Sequence, residues 1–309
     1  MNKLRNAIIF LVAYIFLNNL TVYSGELKSG IISEIKGKAE VKRSGVKIGA
    51  EIMQMLFVND EITVAGNSSV IIKFLKDRHT ETINGPCSVK IGINGTITDK
   101  GSKNNITVKS SAKQGNFTKD VAMIQSANAG FFIRYSKINH SNSSIKLIGE
   151  VNSITLFPEF KWAKYPQASF YVFRLIKNKK IDQDVIYEVN VTEPFISYTI
   201  QMPSLSSSDT YLWQVTAYNK NGEFLSTASR TLKILSEDEV KKIISIREKF
   251  DTLIKEEPKN RDLYLIIIKE YLKNELFVEA LPLMVELSKI CPSDTALKSS
   301  IKKIKEMTE

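Results

Sequence analysis

The stretch that decides the fold class is SSSDTYLWQVTAYNKNGEFLSTASRTLKIL, residues Ser206–Leu235. In it, Tyr211, Trp213, Val215 and Ala217 recur at every second position, so all four side chains lie on one face of a β-strand. The dipeptide Asn221-Gly222 is a favoured hairpin turn, after which we expect a returning strand that runs through Thr231–Leu235. A hairpin with such a large apolar face needs a second layer of structure to cover it.

The preceding segment, FPEFKWAKYPQASFYVFRLIKNKK, offers that second layer. It contains Trp162 and then an alternating strand at Ser169–Leu175. Residues 154–235 therefore resemble a fibronectin type III or immunoglobulin-like sandwich, in which two sheets bury large residues from facing strands. We expect Trp162 and Trp213 to fill this core; the alternative is that they stack on a carbohydrate.

The segment Gly30–Met123 also predicts short strands, punctuated by turn residues every 8–12 positions, as in a sandwich or barrel. Strands are expected at Glu61–Val64 and Ser69–Phe74. The dipeptides Asn84-Gly85 and Asn94-Gly95 are expected to form hairpin turns. Further strands are expected around residues 122–136 and 144–157.

Six short segments of residues 30–157 form a recognisable series. They are Gly37-Lys38-Ala39-Glu40-Val41, Asn59-Asp60-Glu61-Ile62-Thr63-Val64, Ser68-Ser69-Val70-Ile71-Ile72-Lys73-Phe74, Asp77-Arg78, Ala127-Asn128-Ala129-Gly130-Phe131-Phe132-Ile133-Arg134 and Gly149-Glu150-Val151. With this series, residues 30–157 resemble a FecR-type periplasmic domain of bacteria. The resemblance departs from the usual pattern at Asn59 and Arg78, where Gly is usual, and an Arg-Gly-Thr segment is missing. It implies a β-domain, assigned to residues 25–153, in the cell envelope.

Residues 236–309 are predicted to be a helical tail of about four helices. Ser236, with Glu239 three residues later, forms a capping box at the start of the first helix, and Pro258 ends it. Pro258 and Pro292 are 34 residues apart, which is the period of the tetratricopeptide repeat. The tail resembles that repeat at Tyr264, Ile267, Tyr271, Phe277, Ala280, Met284 and Pro292, and it departs from it at Ile268 and Pro282.

The N-terminus has the three-part layout of a secretory signal peptide, assigned to residues 1–24. Lys3 and Arg5 precede the apolar run Ala7–Leu17, and Val22 and Ser24 are small residues suited to cleavage after Ser24. The run is too short for a membrane span, which needs about 20 residues. We therefore expect export with cleavage rather than an uncleaved anchor, and no transmembrane span afterwards.

Most of the net positive charge lies in residues 25–150. The 309 residues carry a formal net charge of +10, and residues 25–150 hold 18 Lys or Arg against 11 Asp or Glu. This excess is interpreted as a solubilising surface; the alternative is attraction to an anionic envelope polymer. Binding of nucleic acid is not expected, because basic runs with interleaved aromatics are missing.

The residues that could carry chemistry are few and scattered. Cys87 and Cys291 are expected to be buried unpaired thiols, and His79 and His140 are isolated in a way that does not suggest a zinc site. We predict no catalytic, cofactor-binding or metal-binding residues and no cofactor, so the protein is not expected to be an enzyme.

The sequence thus predicts a multidomain protein, mainly β with an α-helical tail, that is exported to the periplasm or surface of a bacterium. Its expected role is a non-catalytic binding or scaffold function in the cell envelope, with other envelope proteins bound through the helical tail. The alternative is an envelope signalling protein related to the FecR regulators of sigma factors.

Overall fold

The computed structural model describes residues 27–98, 105–109, 145–178 and 183–308. The chain divides into two compact units, Met1–Ser110 and Ser111–Glu309. The described architecture is mainly β, with four sheets followed by four C-terminal helices, which confirms the predicted fold class at this level. The expected signal peptide, His140 and the expected strands around residues 122–136 lie outside the described residues.

The described part of the first unit contains strands that form two five-stranded antiparallel sheets. One sheet has the order β10-β7-β6-β1-β4 and the other has the order β3-β2-β5-β8-β9. The strands are β1 (Lys28–Lys36), β2 (Ala39–Arg43), β3 (Val46–Gly49), β4 (Met55–Phe57), β5 (Glu61–Val64), β6 (Ser69–Phe74), β7 (Thr80–Asn84), β8 (Cys87–Gly92), β9 (Gly95–Ile97) and β10 (Ile106–Lys109).

Alternating apolar side chains from both sheets share one core. In β6, Val70, Ile72 and Phe74 are fully buried while the residues between them are half-buried, as the two-residue period of a strand requires. Ile62 of β5 and Val89 of β8 come from the other sheet and join the same cluster. The predicted strand ranges Glu61–Val64 and Ser69–Phe74 agree with β5 and β6.

One of the two predicted hairpin turns of this unit is confirmed and the other is wrong. Asn94-Gly95 connects the paired strands β8 and β9. Asn84-Gly85 instead leads from β7 in one sheet to β8 in the other. Gly85 is needed there for a different reason: a Cβ atom would lie 1.9 Å from the carbonyl oxygen of Ala65. A turn dipeptide predicts a chain reversal, but it does not determine which sheet the next strand joins.

The second unit begins with a β-sandwich of a three-stranded and a five-stranded sheet, with the orders β11-β13-β16 and β12-β18-β17-β14-β15. Neighbouring strands are antiparallel except the pair β12 and β18. The strands are β11 (Leu147–Ile148), β12 (Asn152–Ser153), β13 (Glu159–Trp162), β14 (Phe170–Asn178), β15 (Gln183–Val191), β16 (Phe195–Ser197), β17 (Thr210–Tyr218) and β18 (Phe224–Ile234).

The start of this sandwich differs from the expected domain boundary. Residues up to 153 are expected from their pattern to belong to the first β-domain, whereas β11 pairs with β13 and β12 pairs with β18. The two short strands therefore complete the two sheets of the sandwich. Strands of two residues carry too little alternation to indicate which sheet they join.

The sandwich core confirms the expectation that Trp162 and Trp213 are buried together. Both indoles belong to one cluster that contains side chains from the two sheets. The ring of Phe173 contacts both indoles, with centroid distances of 6.4 Å to Trp162 and 6.3 Å to Trp213, and Phe160 lies 5.3 Å from Trp213. Core filling is thus the role that the structure gives these two residues.

The tail forms helices α1 (Glu237–Glu256), α2 (Arg261–Lys273), α3 (Phe277–Ile290) and α4 (Thr295–Thr308). The capping box of Ser236 and Glu239 is present, and α1 ends before Pro258 as predicted. All side chains of α2 except Lys273 are buried or half-buried. Seven of its 13 residues are buried, a larger share than in the other three helices, and α2 is therefore the central element of the helical segment.

The helical segment packs against the sandwich within the second unit. The backbone N–H of Gly149 donates to the carbonyl oxygen of Met307 in α4 at 3.2 Å. The side chain of Asn152 donates to the carbonyl oxygen of Asn274 at the end of α2, at 2.8 Å. We call this contact between the β11–β12 loop and the helices the junction.

Candidate functional sites

A buried histidine lies at the start of β7 in the first unit. The two ring nitrogens of His79 face two carboxylates: Nδ1 contacts Asp77, and Nε2 lies 3.1 Å from Oε1 of Glu81. The imidazole also stacks on Phe74, with ring centroids 4.7 Å apart and planes at 2°. Glu81 lies in β7, whereas Asp77 lies in the preceding turn, and the left-handed backbone at Arg78 (φ 59°) separates Asp77 from His79.

Glu81 connects this network to the other sheet. Its Oε2 accepts hydrogen bonds from the backbone N–H and the hydroxyl of Thr96 in β9. Since β7 and β9 belong to different sheets, the network of Asp77, His79, Glu81 and Thr96 links the two layers of the first unit.

The charges of this network favour the protonated imidazole. Burial lowers the pKa of His79, but its hydrogen bonds to Asp77 and Glu81 and their negative charges outweigh burial, and the pKa is raised. The hydrogen bond from His79 lowers the pKa of Asp77. Both ring nitrogens are engaged, so neither is placed to take a proton from a substrate, and the arrangement suits a structural link better than general-base catalysis.

A second buried ion pair fixes the turn before β5. Arg43 donates to both carboxylate oxygens of Asp60, at 3.0 and 2.8 Å, and to the carbonyl oxygen of Met55. Asp60 also accepts from the backbone N–H of Phe57 at 2.9 Å. Because the partners of both side chains are groups of the same chain, we interpret the ion pair as one that stabilises this turn.

The basic surface of the first unit is partly neutralised by its own acidic residues. On the β2–β3 hairpin, Lys42 pairs with Glu61 at 3.3 Å and Lys47 lies 3.9 Å from Glu40. Exposed pairs of this kind contribute little to stability, but they reduce the local positive potential. Binding of an anionic polymer to this unit stays a prediction.

The two cysteines are half-buried and are not joined in a disulfide. The thiol of Cys87 donates to the carbonyl oxygen of Asn84 at 3.2 Å. Burial raises the pKa of Cys87, so less of it is present as the reactive thiolate. This environment is that of an unreactive thiol.

The junction contains two carboxyl groups that are each shielded from solvent at one oxygen. Glu150 lies in the β11–β12 loop, and Glu279 lies in the first turn of α3. In each, Oε2 is shielded from solvent and has no hydrogen-bond partner among the described residues. Burial is the main cause that raises the pKa of both groups, and the pKa of Glu279 reaches about 7 with a contribution from the charge of Glu150.

Within the described ranges, no three or more His, Cys, Asp or Glu side chains are grouped so that they could hold a metal ion. None of the helices in the described part of the chain combines the length and apolarity that crossing a membrane requires.

Sequence reasoning missed both groups of titratable residues. His79 was expected to be isolated, although Asp77 and Glu81 are each only two residues away in the sequence. The turn at Asp77, with Arg78 in the left-handed region, is not indicated by a strand pattern. No comparable signal links Glu150 to Glu279, because their proximity depends on how the helices pack on the sandwich.

Comparison with known proteins gives similarity to solved structures and none to families or curated proteins. No family model matches the chain, and no curated protein matches it. A solved structure described as "Cell surface anchoring domain" is similar over 23% of this chain and 97% of that chain, at 21% sequence identity and a TM-score of 0.21. A similarity with that TM-score carries no argument about fold or function.

Proposed function

We propose that this chain is an exported, non-catalytic protein of the bacterial cell envelope that binds or scaffolds other envelope proteins. It would combine a FecR-like β-domain, a fibronectin type III or immunoglobulin-like sandwich and a tetratricopeptide-like helical tail. The periplasm and the cell surface are both compatible with this role.

The FecR-like assignment is supported at the two positions where the sequence departs from the family pattern. Asn59 has φ 76° and Arg78 has φ 59°, which is the left-handed region that favours glycine. The backbone therefore adopts at both positions the conformation that the usual glycine would provide. The buried partners of Asp60 also give a reason for an aspartate after the first of these residues.

The sandwich assignment is supported by strand arrangement and by one tyrosine. Immunoglobulin-like folds pack two antiparallel sheets and often contain a tyrosine at the start of a late strand whose hydroxyl bonds to the backbone a few residues upstream. Tyr211 lies at the start of β17, and its hydroxyl accepts a hydrogen bond from the backbone N–H of Ser206 at 2.9 Å.

The observation that carries the proposed function is the packing of α2 against α3. Five of the positions where a tetratricopeptide repeat needs large or small residues are buried, and Tyr264 is half-buried. The buried ones are Ile267, Tyr271, Phe277, Ala280 and Met284. Ala280 is fully covered, as expected where two helices approach closely. Repeat units of this kind commonly present surfaces for protein partners.

Site-specific photo-crosslinking in cells tests the proposal. A photo-reactive amino acid is placed at Ile244, which is 46% exposed on α1, and in a matched variant at Val46, which is 65% exposed on β3 of the first unit. We expect the Ile244 variant to form a discrete adduct with an envelope protein and the Val46 variant to form none.

The crosslinking result has two outcomes that would contradict the proposal. An adduct formed by the Val46 variant and not by the Ile244 variant would show that the first unit, and not the helical tail, binds the partner. Recovery of the full-length product in the cytoplasm, with an unprocessed N-terminus, would refute export itself.

A further inference from the structure

We propose that Glu150 and Glu279 form a proton-dependent latch, which holds the helical segment on the sandwich when they are protonated and loosens the junction when both ionise. This goes beyond the proposed function, because it concerns the coupling of two parts of the second unit and not the partner that is bound.

The positions of the two residues place them on opposite sides of one contact. Glu150 directly follows Gly149, whose N–H donates to the carbonyl oxygen of Met307 in α4. On the helical side, Glu279 lies five residues after Asn274, whose carbonyl oxygen accepts from the side chain of Asn152. Both hydrogen bonds of the junction therefore lie within a few residues of the two carboxyl groups.

One oxygen of each carboxyl group lacks a partner that would stabilise a negative charge. Each has an Oε2 atom that is shielded from solvent and receives no hydrogen bond from any described residue. Burying an ionised carboxylate without such bonds is costly, and two like charges near each other increase the cost. Protonation removes this cost, and separation of the junction removes it by letting water reach both groups.

The charges around the pair are of both signs. The guanidinium of Arg230 in β18 lies next to Glu150, but it donates to the carbonyl oxygens of Leu147 and Gly149. On the sandwich side, Glu159 adds to the negative charge near Glu150, and Lys161 opposes it. Lys161 is itself ion-paired with Glu159 at 2.5 Å, so much of its charge is already compensated. On the helical side, the negative charges of Glu279 and Asp251 both help to raise the pKa of Tyr271, whose hydroxyl interacts with Arg247. The hydroxyl of Ser153 bonds to Glu150 and is uncharged.

The direction of the effect follows from the sign of the pKa changes. Both carboxyls have a raised pKa in the packed state, so packing is favoured below the usual value of 4.5. The stabilisation of the packed state by protonation is lost progressively as pH rises from 4.5 to about 7, the pKa of Glu279. The junction is therefore tight in acid and weaker above neutrality.

Hydrogen exchange measured on the full chain tests the latch at the bond that would break. The reporter is the protection factor of the Gly149 amide, with amides in the centre of β17 as an internal reference. From pH 5 to pH 8 we expect the protection of Gly149 to fall by about tenfold or more relative to β17, since each unit of raised pKa is a factor of ten in the linked equilibrium.

Three variants make the result specific. Glu279→Gln and Glu150→Gln keep the size of the side chains and cannot ionise, so each should reduce the pH dependence of Gly149 protection and keep the junction closed at pH 8. Glu286→Gln changes an exposed residue of the same helix, where the carboxylate pairs with Lys289, and should retain the wild-type profile.

Other results would overturn the latch. Protection of Gly149 that does not change with pH in the wild type, or that falls equally in Glu279→Gln, would show that these carboxyls do not control the junction. Restored protection on addition of Ca²⁺ or Mg²⁺ at pH 8 would identify the pair as a cation site and reject the proton mechanism.

Discussion

Truncation of Trp213 is the most direct test of the sandwich core. The indole is 1% exposed and is surrounded by Phe160, Phe173 and the guanidinium of Arg230, the last 5.9 Å above its ring. Burying an aromatic side chain of about 200 Å² at about 25 cal/mol per Å² stabilises the fold by about 5 kcal/mol. Its Nε1–H has no acceptor among the described residues, which offsets about 1–3 kcal/mol of that gain. Trp213→Ala should therefore lower the free energy of unfolding by about 3 kcal/mol, at the lower end of large aromatic truncations.

Fluorescence gives a selective assay for this prediction. The chain contains two tryptophans, and both lie in the sandwich core, so in Trp213→Ala the remaining Trp162 reports the unfolding of the second unit in denaturant. Trp213→Phe retains an aromatic ring and removes the unpaired N–H, and it should cost less than half as much. Phe224→Ala, at a side chain that is 61% exposed, should change stability by no more than about 0.5 kcal/mol. A Trp213→Ala midpoint equal to that of Phe224→Ala would refute the core assignment and favour a stacking surface.

Three further predictions concern other parts of the chain. Ala280→Leu adds three heavy atoms between α2 and α3 and should lower the free energy of unfolding by about 1–3 kcal/mol in denaturant titrations, whereas an unchanged value would mean that the helices are not in close contact. Proton NMR in a His140→Gln variant should show the imidazole of His79 titrating above the usual pKa of 6.5. The stabilisation by the protonated imidazole is complete below pH 6.5 and is lost as pH rises through the pKa of the folded state. A titration midpoint below 6.5 would contradict the network. Arg78→Gly should maintain or raise the melting temperature, because a left-handed conformation costs a non-glycine residue about 1–2 kcal/mol, and a large destabilisation would show that the arginine side chain is needed there.

Local patterns in the sequence predict local structure well in this chain. Alternation in β17 correctly placed Tyr211 and Trp213 on the buried face. Ser236 and Glu239 marked the first turn of α1, where the side-chain and backbone bonds of the capping box are all present. These signals succeed because each depends on residues a few positions apart, whose relation is fixed by the geometry of one strand or helix.

Predictions that depended on long-range packing were less successful. The Asn84-Gly85 turn was expected to close a hairpin, but the chain crosses to another sheet there. The junction of Glu150 with Glu279 could not be found from sequence, since it requires a loop of the sandwich to meet the start of α3. The charge network of His79 combines local and long-range contacts. Its partners Asp77 and Glu81 are two residues away in the sequence, whereas the hydrogen bond from Thr96 to Glu81 joins the two sheets.

The segment RDLYLIIIKEYLK, which forms α2, shows how burial restricts the choice of a partner surface. An apolar helix in a tail could be a membrane span, a docking groove or a core element. Its 13 residues are too few to cross a bilayer, and almost every side chain is covered by its neighbours. With α2 in the interior, a protein partner would have to bind to the outer surfaces of α1, α3 or α4. The exposed side chain of Ile244 on α1 is an apolar contact available on such a surface, which is why it is the position chosen for crosslinking.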